Sequence, residues 1–199
     1  MAATDQEGGQ REAILDAAFG RFAHYGYRRT SLGDIAEAAG LSRPALYHYF
    51  HNKEDVFRAL AQRINRGVVE AVTAAAQREG DTLARLTAVV EARVGWAFDL
   101  LHASEHGREL IDEKNRLCGA AGADTNAEFA ALLERILARG EARGEISLAS
   151  VAMSPREAAL FLIDSVEGVI GKETVEAAAR HRLRILTQLF VGGLRVPAG

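Results

Sequence analysis

The chain is predicted to be all-helical, and three observations carry that expectation. Proline occurs three times in 199 residues while alanine is abundant, so helix formers are plentiful and helix breakers few. Apolar residues recur at intervals of three and four along most of the chain, the period of a helix with one buried face. Capping residues and glycines punctuate those runs as start and stop signals. Mean hydropathy is near zero, at −0.05, as expected of a soluble helical protein.

The elements follow in order. Residues 1–9 are small and polar and read as an unstructured lead-in. A first helix, roughly residues 11–25, turns Ile14, Leu15, Ala18, Phe19 and Phe22 inward and stops at Gly26. Ser31 can cap a second helix, with Asp34 completing a capping-box-like pair, and Leu32, Ile35, Ala36 and Ala39 form its apolar face. Gly40 ends that helix, because glycine takes the left-handed conformation cheaply, and Leu41 can plug the corner. Ser42 caps a third helix, and Pro44 lies in its first turn, where a missing backbone donor costs little.

Asn52, with Asp55 three residues on, opens a long fourth helix expected to reach about Glu79 before Gly80. Asp81 or Thr82 opens a fifth, carrying Leu83, Leu86, Val89, Val90, Val94, Trp96 and Phe98. Its tail and the next helix hold His102, His106, Leu110 and Ile111. Residues 118–126 are small and glycine-rich and read as a loop. Thr125 and Glu128 read as the capping box of a helix with Phe129, Leu132, Leu133, Ile136 and Leu137, ending near Gly140 or Gly144. Ser154, Pro155 and Glu157 start a further helix with Phe161, Leu162, Val166, Val169 and Ile170. A last one spans about residues 174–192, with Leu183, Leu186, Leu189 and Phe190. About nine helices result.

Two short helices joined by a tight glycine turn make a helix-turn-helix, whose second helix enters the DNA major groove. The residues themselves go further. The pair Thr30-Ser31, then Asp34-Ile35-Ala36, Ala39-Gly40-Leu41-Ser42, Leu46-Tyr47, Tyr49-Phe50 and Lys53-Glu54 resemble the DNA-binding head of the tetracycline-repressor (TetR) family of bacterial transcription regulators. The resemblance extends back over the first helix. The rest of the chain resembles the family only in layout, as a run of apolar helices. It implies a head over residues 10–52 that binds double-stranded DNA, and a portion over residues 53–199 that binds an effector and dimerises.

Within the head, Arg43 stands early in the recognition helix, where arginine can reach guanine bidentately, or a phosphate. The resemblance turns Arg43, Pro44, Ala45 and Tyr47 toward base edges. Leu46 and Phe50, one turn apart, claim the core face and leave Tyr47 to point elsewhere. His48, Tyr49 and Lys53 carry donors suited to the sugar-phosphate backbone. Thr30, Ser31 and Ser42 sit at helix N-termini, and the first two mark an anion-binding position. His51, Arg28 and Arg29 are equally at home as plain surface side chains. The whole-chain charge of −3 would not advertise nucleic acid. Between Arg28 and Lys53, however, four basic side chains face two acidic ones, so placement and dimerisation outweigh bulk charge.

In the remainder, Trp96, Phe98, His102, His106, Phe129, Leu133 and Phe161 are the candidates for lining a pocket between helices, for a largely apolar effector. Taken singly, each apolar one fits a plain core better than a pocket wall. The resemblance assigns dimerisation to the last two helices, where Leu162, Val166, Val169, Leu186, Leu189 and Phe190 form apolar stripes. It implies a repressor released from a palindromic operator when an effector shifts helix packing and tilts the fourth helix. His102 and His106 stand four apart but make an incomplete metal site, so no metal and no cofactor is expected. A single cysteine, Cys118, precludes an intrachain disulfide. No apolar run is long enough for a bilayer and no signal-peptide order opens the chain, which makes the cytoplasm the expected location. The rival readings are a helical-bundle enzyme and a protein-interaction module. The first lacks any phosphate loop, nucleophile elbow or paired metal-ligand motif. Salt-dependent duplex binding would separate the second.

Overall fold

The structure, a computed structural model, describes residues 2–102, 105–170 and 175–195; side chains are described except those of 2–6, 96–102 and 120–125. In chain order the elements are α1 (Ala2–Tyr25), α2 (Leu32–Ala38), α3 (Arg43–Tyr47), α4 (Lys53–Ala76), α5 (Thr82–His102), α6 (Gly107–Ala142), a 3₁₀ turn (Leu148–Val151), α7 (Pro155–Ile170) and α8 (Glu176–Leu194). Among the described residues every regular element is helical.

Contacts divide the chain into two units, one of Met1–Arg66 with Asp99–Gly122, the other of Gly67–Phe98 with Ala123–Gly199. This differs from a division at residue 52, because the core of the first unit draws on more than the head. Ile14, Leu15, Ala18 and Phe22 of α1 meet Ile35 and Ala36 of α2, Leu46 of α3, and then Val56, Phe57 and Leu60 of α4 and Leu110 of α6. Phe22, Tyr27 and Phe57 form an aromatic cluster, with Tyr27 and Phe57 edge to face at 5.0 Å.

The second unit is built around Val89, Val90 and Val94 of α5, Leu133 and Leu137 of α6, Leu162 and Val166 of α7, and Leu183 of α8. Asp81, not Thr82, caps α5, accepting from the Ala84 N–H at 2.8 Å. Thr82 instead is buried, and its N–H and hydroxyl both donate to one Glu145 carboxylate oxygen at 2.7 Å. These bonds hold the Glu145 carboxyl below its ordinary value. The start signal at Ser154 is realised in full: its N–H and hydroxyl donate to Glu157 at 2.8 and 2.7 Å, and the Glu157 N–H donates back at 3.2 Å.

Several boundaries depart from expectation. Helix α1 begins at Ala2, without an unstructured lead-in. Once a helix is nucleated, extending it costs little, and only Gly8 and Gly9 resist it over that stretch. The loop expected at 118–126 is helix: α6 runs through it with one departure from helical geometry, at Cys118 (φ −125°, ψ 17°). Gly119 and Gly122 weaken the helix by roughly 1 kcal/mol each relative to alanine, yet Ala120, Ala121 and Ala123 are strong formers and no proline intervenes. Thr125 is therefore inside a helix, not at its cap; its side chain lies outside the described residues. Gly140 does not end α6 either. A Cβ there would run into the Thr82 side chain, including its Oγ1, so this glycine permits close approach. The stop comes at Gly144, with φ +71°.

Candidate nucleic-acid interface

The turn into the head is fixed first. Gly26, at φ +83°, ends α1. Thr30 is buried and its hydroxyl donates to the carbonyls of Gly26 at 2.8 Å and Arg21 at 3.3 Å. Its side chain thus shapes the turn and is spent inward. Ser31 caps α2: its Oγ accepts from the Asp34 N–H at 3.2 Å and donates to the Asp34 carboxylate at 2.8 Å, while its own N–H donates at 2.7 Å. The Asp34 carboxyl is pulled below its ordinary value by these bonds.

Gly40, at φ +67°, lets the chain reverse. Its N–H donates to the Glu37 carbonyl at 3.1 Å and the Leu41 N–H to the Ala36 carbonyl at 2.8 Å, the two bonds of a Schellman cap. Ser42 then caps α3, accepting from the Ala45 N–H at 3.3 Å. One residue anchors this short helix: Leu46 is fully buried, with Phe50 close behind at 4% exposure. The rest of α3 is presented outward. Arg43, Pro44, Tyr47 and His48 are exposed, Tyr47 by 42%. Pro44, Tyr47 and His48 stand three and four apart, on one face. Ala45 is half-buried, and Tyr49 is half-buried against the head's core.

An open depression joins α2's start, α3 and the α3–α4 turn. It brings together Thr30, Ser31, Arg43, Tyr47 and Lys53 with Arg28, Arg29, His51 and Asn52. Ser42, Pro44, Ala45, His48 and Tyr49 do not line it. The sequence left Arg28, Arg29 and His51 open between backbone contact and plain surface, and read Asn52 as a cap. Asn52 does cap α4, its Oδ1 accepting from the Asp55 N–H at 2.8 Å. Lys53 is engaged within the protein. Its ammonium donates to the Tyr27 carbonyl at 2.7 Å and the Arg28 carbonyl at 3.4 Å, and lies 4.3 Å from the Tyr27 ring centroid. Burial lowers its pKa, opposed by Glu113 and Glu109. From α6, Glu109 accepts from the Arg28 N–H at 3.0 Å, so this turn is held from two sides.

Of the expected pocket residues, only Phe129, Leu133, His106 and Phe161 have described side chains, and Phe161 lies apart from the buried pair. Phe129 and Leu133 are buried, at 3% and 0% exposure. Phe161 is 52% exposed and stacks on Phe190, ring centroids 6.4 Å apart; it faces outward from α7. The side chains of Trp96, Phe98 and His102 lie outside the described residues. His102 ends α5 and His106 precedes α6, so the two do not share a helical face. Cys118 is buried, and burial pushes its thiol up, the opposite of a reactive thiolate. Of the expected pocket residues, Phe129 alone lines a described cavity, of about 140 Å³, with Val68, Val72, Arg93, Leu132 and Arg135 among its walls.

The dimer stripe needs correction as well. Leu162 and Val166 are fully buried in the subunit's own core and offer no surface to a second chain. Val169, Leu186 and Phe190 are partly buried against that core. The outward apolar side chains are instead Leu160 and Phe161 of α7 and Ile185 and Leu189 of α8, with Leu189 70% exposed.

Residues 14–60 match the family described as bacterial regulatory proteins, tetR family. Over 106 residues the chain is 34% identical to the HTH-type transcriptional activator FasR of Mycolicibacterium smegmatis, covering 53% of this chain and 47% of that protein. The chain thus spans about half the length of that relative. It is 29% identical over 195 residues to the HTH-type transcriptional repressor KstR2 of Rhodococcus jostii, across 92% of each. A solved transcriptional regulator from Cytophaga hutchinsonii shares the fold, with a TM-score of 0.79 at 23% identity over 94% of this chain and 100% of that one.

Proposed function

From the match of residues 14–60 to the tetR family of bacterial regulatory proteins, we propose that this chain is a member of that family and a cytoplasmic, homodimeric transcriptional repressor that leaves its operator when a small molecule binds. The single observation that carries the DNA reading is the division of α3: Leu46 is anchored inside while Arg43, Pro44, Tyr47 and His48 face solvent. A helix held that way can enter a major groove with its caps intact. Arg43 and Tyr47 are assigned to base edges or adjacent phosphates, and Arg28, Arg29 and His51 to the backbone. Thr30 supports the turn and touches no DNA with its side chain.

Two copies would present two recognition helices to a palindromic site with half-sites about one helical turn apart, or a small multiple of it. Repression is favoured by the relative aligned along nearly its whole length, which is a repressor. Helix α4 starts at Lys53 beside the depression and carries Val68 and Val72 on the cavity wall. An effector in that cavity must bind the DNA-free state more tightly than the DNA-competent one to act at all.

The test is selection of duplex fragments from the source genome by the full chain. A recurring palindrome should be enriched, its occupancy falling steeply with salt. Arg43→Ala should cost about 1–3 kcal/mol at a cognate base pair and relax preference there. Selection that enriches nothing would defeat the reading. Raised reporter expression on adding the protein would make it an activator.

A further inference from the structure

Arg93 of α5 is a largely buried cation at the wall of a cavity with one apolar side, Val68, Val72, Phe129 and Leu132, and one charged side, Arg93, Glu128 and Arg135. Its side chain is 15% exposed. The guanidinium carbon lies 4.3 Å from the centre of the Phe129 ring. Nη2 donates to the Asn126 Oδ1 at 2.8 Å and lies 3.5 Å from Glu167, whose own side chain is 51% exposed. Nε and Nη1 have no partner among the described residues. Removing a guanidinium from water is costly unless its donors are met. Here a neutral amide and a half-exposed carboxylate meet one nitrogen, and since no buried side-chain nitrogen among the described residues lacks a partner, Nε and Nη1 are open to the cavity or to solvent and can be reached by a ligand.

The surroundings carry the same sign. Arg135 lines the cavity too, against Glu128. The adjoining depression, which shares Arg135, adds Arg85, Arg139 and Arg143 against Glu145, whose second oxygen lies 3.6 Å from Arg143. In a chain of net charge −3, this concentration of guanidinium groups focuses an anion-attracting field. The cavity volume of about 140 Å³ is close to that which accepts a single benzene-sized body.

We propose that this cavity takes an anionic small molecule with an apolar body, its carboxylate or phosphate group on Arg93 and Arg135 and its hydrocarbon against Phe129, Leu132 and Val72. Nη2, shared by both bidentate edges of the guanidinium, is already engaged, so Nε and Nη1 each offer an anion one charge-assisted hydrogen bond, stronger than the same bond to a neutral ligand and closed to a cationic one. This deepens the effector-responsive reading and rests on it.

The experiment is thermal unfolding of the full chain, without DNA, with benzoate, octanoate, octyl phosphate, octanamide and octylamine below their micellar concentrations. The anions should raise Tm with ligand concentration while octanamide and octylamine do not. Tighter binding of octanoate or of octyl phosphate tells which headgroup the site is shaped for. Arg93→Met should weaken the better anion by about tenfold or more, with Arg93→Lys in between. Should Arg93→Met not fold, Arg135→Gln at an exposed position should still weaken it severalfold. No stabilisation by any anion, equal stabilisation by octanamide, or unchanged affinity in both arginine variants overturns the proposal. Because DNA is absent from this assay, its failure leaves the operator reading standing. Genomic selection that enriches nothing would remove the regulator reading and leave the anion site.

Discussion

Lys53 shows how a residue picked for one task can carry another. The family pattern points it at phosphate, yet its ammonium is bound to the Tyr27 and Arg28 carbonyls. Lys53→Ala should therefore lower Tm and DNA affinity together. Arg29→Ala, at an exposed position, should lower affinity and flatten the salt slope by about one unit without moving Tm. Calorimetry beside a salt titration separates the two. Glu145 supplies a pH test. Its folded pKa lies below the ordinary 4.5 because Thr82 donates to it twice. A carboxyl depressed by folding adds stability above its unfolded value and loses it as pH falls through the folded one. Glu145→Gln should thus be less stable than wild type at pH 7, and the gap in urea midpoint should close as pH drops below 4.5. A constant gap across that range would show that shape, not charge, carries the contact.

At the scale of elements, caps and turns were the most legible features. Ser31, Gly40, Ser42, Asn52 and Ser154 each act where local sequence puts them, because a cap satisfies backbone groups within four residues of itself. Glycines were legible only where the reason was local. Gly40 has the positive φ of a C-cap, whereas Gly140 is glycine because Thr82, far away in sequence, lies against it. Gly140→Ala is accordingly expected to cost about 1–3 kcal/mol through overpacking, although alanine is the better helix former. A chemical denaturation midpoint equal to or above wild type would contradict that account.

At the scale of the molecule, the outward apolar side chains of α7 and α8 bear on assembly. Leu160, Phe161, Ile185 and Leu189 leave an exposed patch of the kind that marks an interface. Under the homodimer reading, Phe161→Glu with Leu189→Glu should yield a folded monomer by light scattering and circular dichroism, since neither side chain is needed in the subunit's own core. Val166→Glu should instead unfold the protein, because its side chain is 1% exposed there and an unpaired buried charge costs several kcal/mol, about 3 or more. A dimer that survives the first pair would move the interface elsewhere.

The all-helical class, the helix-turn-helix and the face that α3 turns outward were determined by sequence alone. Each depends on spacing within a few residues: Leu46 and Phe50 one turn apart leave Tyr47 outside, and Ser42 with Gly40 sets the turn. What only tertiary structure decided depends on residues distant in the chain. Thr30 was drawn inward by the carbonyls of Arg21 and Gly26. Phe161 and Val166 lie on one apolar helix, and which of them faces out was settled by where α6 and α8 pack. Arg93 owes its surroundings to Asn126, Phe129 and Glu167, each more than thirty residues away in the chain. Periodicity reports that a helix has a buried face; it does not report which neighbour buries it, and burial and charge pairing depend on that neighbour.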